Sequence, residues 1–236
     1  MKRLVYLSLA AMMVLAAFSC DKNKPVPAPK DVPEGAVDLG IVMTRRNGTT
    51  YRLYWAISNL NVEGFCETPD DRGDFYAWGE TAPKSNYDWP TYKFGTSGEG
   101  PFSKYNKTDN KNVLDLEDDA AHEKLGGKWR MPTEGEWAEL KKKCNWDWTD
   151  DYNGTGGQGI IVKAKNGNSI FLPAAGSYTG SYYDSQSGFG DYWTSSLNAL
   201  NTSPATALYV SFSINSFHIG SISRSYGYTI RPVWEE

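Results

Sequence analysis

The side chains able to do chemistry are few and scattered. Cysteine occurs at 20, 66 and 144, and histidine only at 122 and 218. No Gly-x-Ser-x-Gly elbow, P-loop or dinucleotide fingerprint is present. His122 reads as a helix-surface residue and His218 as part of a polar loop, so a His-based metal site is not expected. Asp70, Asp71 and Asp74, and again Asp147, Asp150 and Asp151, could ligate Ca²⁺ through oxygen. Loop acids are more often simply solvated, so no metal and no other cofactor is expected. Paired carboxylates for glycoside hydrolysis stay open because their pairing is spatial. Nothing in the pattern points to them, and the chain reads as a non-enzyme. Cys66 and Cys144 could form one disulfide in an oxidising compartment. The alternative, two separate thiols, is favoured: Cys144 lies on the Trp137 and Leu140 face of a helix, where a small core residue fits.

The first residues address the compartment. Met1-Lys2-Arg3 is a short basic start, an apolar run follows over 4–18, and Ser19-Cys20 closes it. This is the layout of a secretory signal peptide, too short for a stable membrane span. Cys20 at its end suggests a bacterial lipoprotein acylated on that sulfur; the alternative is an ordinary signal peptide that happens to hold a cysteine. Phe18, close to the cleavage site, is a departure from the usual small residue. The expected organisation is a signal peptide over 1–19, an acylated Cys20 with a Pro-rich tether over 20–33, and one folded domain over 34–236. The protein would then be lipid-anchored to a membrane of the bacterial cell envelope, the outer membrane being expected and the exposed face left open. Loss of Lys2 and Arg3 lowers the basic count from 24 to 22 against 28 acids, a net charge of −6. An acidic chain without a basic cluster is a poor nucleic-acid binder.

The elements that must position any site follow from patterning. Strands are expected over 36–43 and 50–59 around Asn47-Gly48, a hairpin signal. A short aromatic strand is expected over 74–79, and a long loop over 81–111. A short helix over 115–125 places Leu116, Ala120 and Ala121 on one side, with Gly126 just past its end. Pro132-Thr133 opens a second helix over 134–143, with Thr133 and Glu136 matching a capping box. A second hairpin is expected from 159–164 and 169–173, and further strands over 191–196, 207–213 and 228–234. Leu208, Val210 and Phe212 alternate with Tyr209, Ser211 and Ser213, the pattern of a half-buried strand. Helices early and strands late give an α+β class with mostly antiparallel pairing.

Four segments occur in order: Gly73-Asp74-Phe75-Tyr76-Ala77-Trp78-Gly79-Glu80; Asp118-Asp119-Ala120-Ala121-His122 leading to Trp129-Arg130-Met131-Pro132-Thr133; Phe171-Leu172-Pro173-Ala174-Ala175-Gly176; and Tyr192-Trp193-Thr194-Ser195-Ser196 with a final Ile230-Arg231-Pro232-Val233. Together they resemble the major paralogous domain (FISUMP) family of bacterial surface lipoproteins. The resemblance implies a C-type-lectin-like fold, two helices packed on small twisted sheets with long loops. That fold is similar to formylglycine-generating enzymes and to the variable proteins of diversity-generating retroelements. The enzyme of that group works with a C-terminal cysteine pair, and no cysteine follows Cys144 here.

Binding is the better reading. The 35 residues over 194–228 contain no Lys, Glu, Gln, Trp, Met or Asp. They are rich in Ser, Asn and Tyr, the types that give contact area and adaptable hydrogen bonds in recognition loops. Adenine-directed mutagenesis of AAC or AAT codons cannot yield the first five of those types, which fits a retroelement-diversified surface. Turn-rich antiparallel strands are low in Lys and Glu for ordinary reasons too. Candidate diversified positions are Asn198, Asn201, Ser203, Tyr209, Ser211, Ser213, Asn215, Phe217, His218, Ser223 and Tyr226. Tyr178, Tyr182 and Tyr183, in a Gly/Ser-rich loop beside Phe189, could stack on sugar faces or instead cover the sheet. Trp129, Trp137 and Trp193 read as core, and Arg231 as a structural partner of an acid or carbonyl. The expected partner is a glycan or a surface protein; the alternative is a non-catalytic structural or assembly subunit of a surface complex.

Overall fold

The computed structural model describes residues 31–184, 188–198 and 206–236. Cys20, the leader and most of the tether lie outside the described residues. The compact unit is Val32–Glu236, starting two residues before the expected boundary. Among the described residues, no helix is long and apolar enough to cross a membrane.

The class is α+β, with small, mostly antiparallel sheets and two α-helices among the described residues. β1 (Ala36–Thr44) and β2 (Thr50–Ala56) form the first hairpin. Asn47 Oδ1 accepts the Thr49 N–H at 3.1 Å in its turn. β3 (Leu60–Asn61) and β4 (Gly64–Phe65) make a minimal hairpin. After a long loop come α1 (Ala120–Leu125), β5 (Trp129–Arg130) and α2 (Glu134–Lys143). β6 (Asn145–Tyr152), β7 (Gly157–Lys163) and β8 (Ser169–Pro173) form an antiparallel meander. β9 (Ser177–Thr179) and β10 (Tyr182–Asp184) make a short hairpin. β11 (Gly190–Leu197), β12 (Thr206–Ser213) and β13 (Ser216–Ser223) form a second three-stranded sheet. β14 (Val233–Glu235) inserts between β2 and β5, so the first and last strands of the unit share a sheet.

The capping box forms at α2. Thr133 Oγ1 accepts the Glu136 N–H at 3.3 Å, and Glu136 Oε2 accepts the Thr133 N–H at 2.7 Å. The same carboxylate is fully buried and accepts from Arg130 at 2.5 and 2.8 Å and from the Tyr51 hydroxyl at 2.9 Å. Burial works against its charge, but Arg130 prevails and holds Glu136 below the ordinary carboxylate range. One residue thus starts the helix and ties it to β2 and β5. At α1, Asp119 caps the Ala121 and His122 N–H groups at 3.0 and 3.1 Å, and its second oxygen accepts the Met131 N–H at 2.8 Å. Gly126, at φ +66°, ends the helix.

Two cores result. In the first, Tyr76, Trp78, Tyr105, Ala120, Trp193 and Tyr228 pack together. In the second, α2 presents Trp137 and Leu140 to Trp55, Tyr192, Val210 and Phe212. Trp55 and Trp137 meet edge to face at 4.7 Å. Arg231 is fully buried and bonds the Ala56 and Phe171 carbonyls at 3.0 and 2.7 Å and Asn59 Oδ1 at 2.8 Å, the structural role its position suggests.

Five expectations need correction. Residues 74–79 are not a strand. Tyr76 makes one bridge to Tyr228, and Trp78 N–H bonds the Arg224 carbonyl at 2.9 Å, a spacing too irregular for a ladder. Of 228–234, only the end joins β14, because Leu60 and Trp193 take the backbone groups of Ile230 and Thr229. Leu116 is 51% exposed rather than packed with Ala120, since the 3-10 turn Leu116–Asp118 and the extended Asp119 break the helical phase. The Gly/Ser-rich loop expected around Tyr178, Tyr182 and Tyr183 holds the β9–β10 hairpin, and His218 lies on β13 rather than in a loop. β6 and β13 had no counterpart in the patterning. Cys66 and Cys144 are free thiols. Burial pushes Cys66 up to about 11 and raises Cys144 as well, which disfavours the thiolate in both.

Candidate ligand-recognition surface

The β11–β12–β13 sheet sets side chains in rows. Asp191, Ser211 and His218 are directly opposite one another across the three strands, as are Trp193, Tyr209 and Gly220. Strand alternation therefore sends Val210 and Phe212 into the second core and leaves Tyr209, Ser211, Ser213 and His218 on the other face. That face is closed at one end, where Tyr228 lies 4.6 Å from Trp193 and 5.2 Å from Tyr209, ring to ring. It is open at the other, where His218 is exposed and Ser211 and Ser213 are half-buried. Gly220 makes room for this arrangement. A Cβ there would strike the His218 imidazole and stand 3.0 Å from the Tyr209 ring. The Asp191 carboxyl at the edge of the face is raised by burial, partly offset by the Ser211 and Ser177 hydroxyls.

A parallel bridge between Gly176 and Gly190 joins the β9–β10 hairpin to this sheet edge. Tyr178 and Tyr183 stack at 4.9 Å and both meet Phe75 edge to face, at 5.0 and 5.5 Å. The Tyr183 hydroxyl donates to the Ala175 carbonyl at 2.7 Å and accepts from Arg72 at 2.8 Å. These two rings fasten the hairpin to the body. Tyr182 is 64% exposed and is the ring of the three that the hairpin presents.

The other candidates separate. Asn215 is exposed in the β12–β13 turn beside Ile214. Phe217 is on the opposite face, edge to face with Trp146 at 5.0 Å and under the Lys141 ammonium. Tyr226 is half-buried against the first core, and Asn198 is half-buried past the end of β11. Ser223 bonds Ser225. Asn201 and Ser203 lie outside the described residues. The structure thus brings Tyr209, Ser211, Ser213 and His218 onto one face, with Asn215 at its end. Sequence reasoning missed Asp191 and Ser177. Parity does not mark Asp191 as outward, because it shares the face of the core residue Trp193.

Four of the six loop acids are occupied by local bonds. Asp74, Asp71, Asp150 and Asp151 accept from Val62 N–H, Thr68 N–H, Trp148 Nε1 and Gly156 N–H at 2.7–2.9 Å. Asp147, Asp150 and Asp151 sit on β6. Among the described residues, the carboxylates of Asp115, Glu117 and Asp118 converge within 4.8 Å. The Lys104 ammonium contacts all three at 2.5–2.7 Å and already stands where a cation would. No family model, curated protein or solved structure matches the chain.

Proposed function

We propose that the chain is a lipid-anchored protein of the bacterial cell envelope, with a C-type-lectin-like domain of the FISUMP type that recognises a glycan or a surface protein. The ligand would sit on the open face of β11–β13, with Tyr209, Ser211, Ser213 and His218 as its floor and Asn215 at its rim. The observation that carries the reading is strand parity. On β12, Val210 and Phe212 are fully buried, while the alternating Tyr209, Ser211 and Ser213 lie on the other face, where His218 of β13 stands opposite Ser211. The open end of this face, at Ser211, Ser213 and His218, tolerates change without disturbing the core, whereas Tyr209 also packs on Tyr228. Retroelement diversification at Tyr209, Ser211, Ser213, Asn215 and His218 is the sharper form of the proposal. The lipid anchor rests on Cys20 and the leader sequence.

The test is a glycan array and a surface-protein binding panel probed with the full chain, then with His218→Ala and Tyr209→Phe. Both substitutions leave the core intact. A ligand whose affinity falls roughly tenfold with either, about 1.4 kcal/mol, supports the face. A ligand indifferent to both refutes it. Deep sequencing of codons 194–228 in one population tests diversification: change confined to the outward positions supports it, and an invariant stretch removes it.

A further inference from the structure

A second concavity shares no lining residue with the sheet face. It consists of two adjoining hollows of about 270 and 620 Å³ that share Asp70 and Arg72. Thr155, Gln158, Pro173 and Ala174 line the smaller, and Glu67, Asp71 and Asn61 the larger. Three carboxylates and one guanidinium share this groove, yet Arg72 makes no ion pair with any of them among the described residues. Its Nη1 is held instead by the Tyr183 hydroxyl at 2.8 Å, and Arg72 remains exposed. Asp70 is fixed independently. Its side chain lies on Gly157, where a Cβ would stand 3.0 Å from Asp70 Cβ and 3.2 Å from its Oδ2. The Thr155 hydroxyl holds that carboxyl below the ordinary range, so it is a charged acceptor at neutral pH. Opposite charges that share one hollow without pairing leave a donor and an acceptor for something else. A carboxylate, a guanidinium and an amide beside a small apolar patch are what vicinal hydroxyls over a C–H face require.

We propose that this groove binds a terminal monosaccharide unit, with Asp70 accepting from its hydroxyls, Arg72 donating to its oxygens, and Pro173 and Ala174 beneath its C–H face. The site goes beyond the sheet-face reading and does not depend on it. The smaller hollow is near the size of one sugar ring, and the β9–β10 hairpin, through Tyr183, sets the position of Arg72.

The experiment is calorimetric titration of the full chain with methyl glycosides of neutral hexoses and N-acetylhexosamines, alongside free amino acids. At least one glycoside should saturate with a dissociation constant of about 1 mM or tighter. Asp70→Asn and Arg72→Gln should each weaken it roughly tenfold or more, the loss of a hydrogen bond to a charged group. Gly157→Ala should weaken it too, by displacing Asp70, while His218→Ala leaves it unchanged. No saturation by any glycoside overturns the proposal, as does saturation by an amino acid alone. A glycoside site lost with His218→Ala but not with Asp70→Asn overturns it as well, and leaves the sheet face standing.

Discussion

Two fully buried arginines should respond oppositely to the same substitution. Arg231 donates to the Ala56 and Phe171 carbonyls and to Asn59 Oδ1. Arg224 is equally buried, but among the described residues its three side-chain nitrogens have no hydrogen-bond partner. The Tyr92 oxygen is close enough to favour the charged guanidinium yet outside bonding geometry, and burial pulls the Arg224 pKa down. Its remaining support is the Asp109 charge and aromatic faces, with Phe102 at 4.3 Å and Trp78 and Tyr92 at 5.6 and 5.9 Å. Arg231→Met takes a donor from three acceptors, each costing about 1–3 kcal/mol when left unmet. Relief of the buried charge offsets part of this, leaving a net loss of about 3 kcal/mol. Arg224→Met forfeits cation–π contacts worth about 2 kcal/mol. It also removes a desolvation penalty of several kcal/mol, so the variant should be at least as stable as the parent. Urea unfolding of the two variants reads this directly, with the midpoint shifting and the slope unchanged. An Arg224→Met loss as large as that of Arg231→Met would refute the reasoning, because it would mean the guanidinium has a partner the geometry does not show.

Other outcomes follow from the same structure. Thr133→Ala should cost about 1 kcal/mol or somewhat more by opening the capping box, measured by thermal unfolding. Gly159→Ala should be strongly destabilising, since a Cβ there meets the Leu172 carbonyl, with the Phe171 ring at 2.7 Å. Glu136 and Asp118 are held below their ordinary values of 4.5 and 3.8, so the stability they give is fully present above those values and lost progressively as pH falls from them through the lower folded-state values. Glu136→Gln should flatten that acid limb of a stability–pH curve. Asp119 runs the other way. Burial raises it to about 6, so its contribution is present below 3.8 and fades as pH rises through 6. Tyr182→Ala should leave the melting temperature unchanged, because the ring is mostly in water.

Much of the frame was legible. Thr133 and Glu136 name α2 by a local bond pair, and Asn47-Gly48 names the first hairpin, because in each case the chemistry is complete within a few residues. Alternation over 207–213 gave β12 and its outward face. What escaped was set by distant partners. The segment 74–79 looks like a strand, but its bonds go to Tyr228 and Arg224 in irregular steps. β13 is too rich in Ser and Gly to declare itself, and it pairs along its whole length because β12 offers a template. In β6, Trp146 and Trp148 alternate with Asp147 and Thr149, a strand pattern obscured by its acids. For the site, parity predicts which of Tyr209, Val210, Ser211 and Phe212 face out. It does not predict that Tyr183 is bound to Ala175 and Arg72, or that Phe217 covers Trp146.

The most direct test of the recognition surface is amide hydrogen exchange on the full chain, with and without a ligand captured from the panel. Protection concentrated in β12 and β13 around Tyr209, Ser211 and His218, with β1–β2 and β6–β8 unchanged, is the predicted result. Protection that falls elsewhere and leaves β12–β13 untouched would contradict the account.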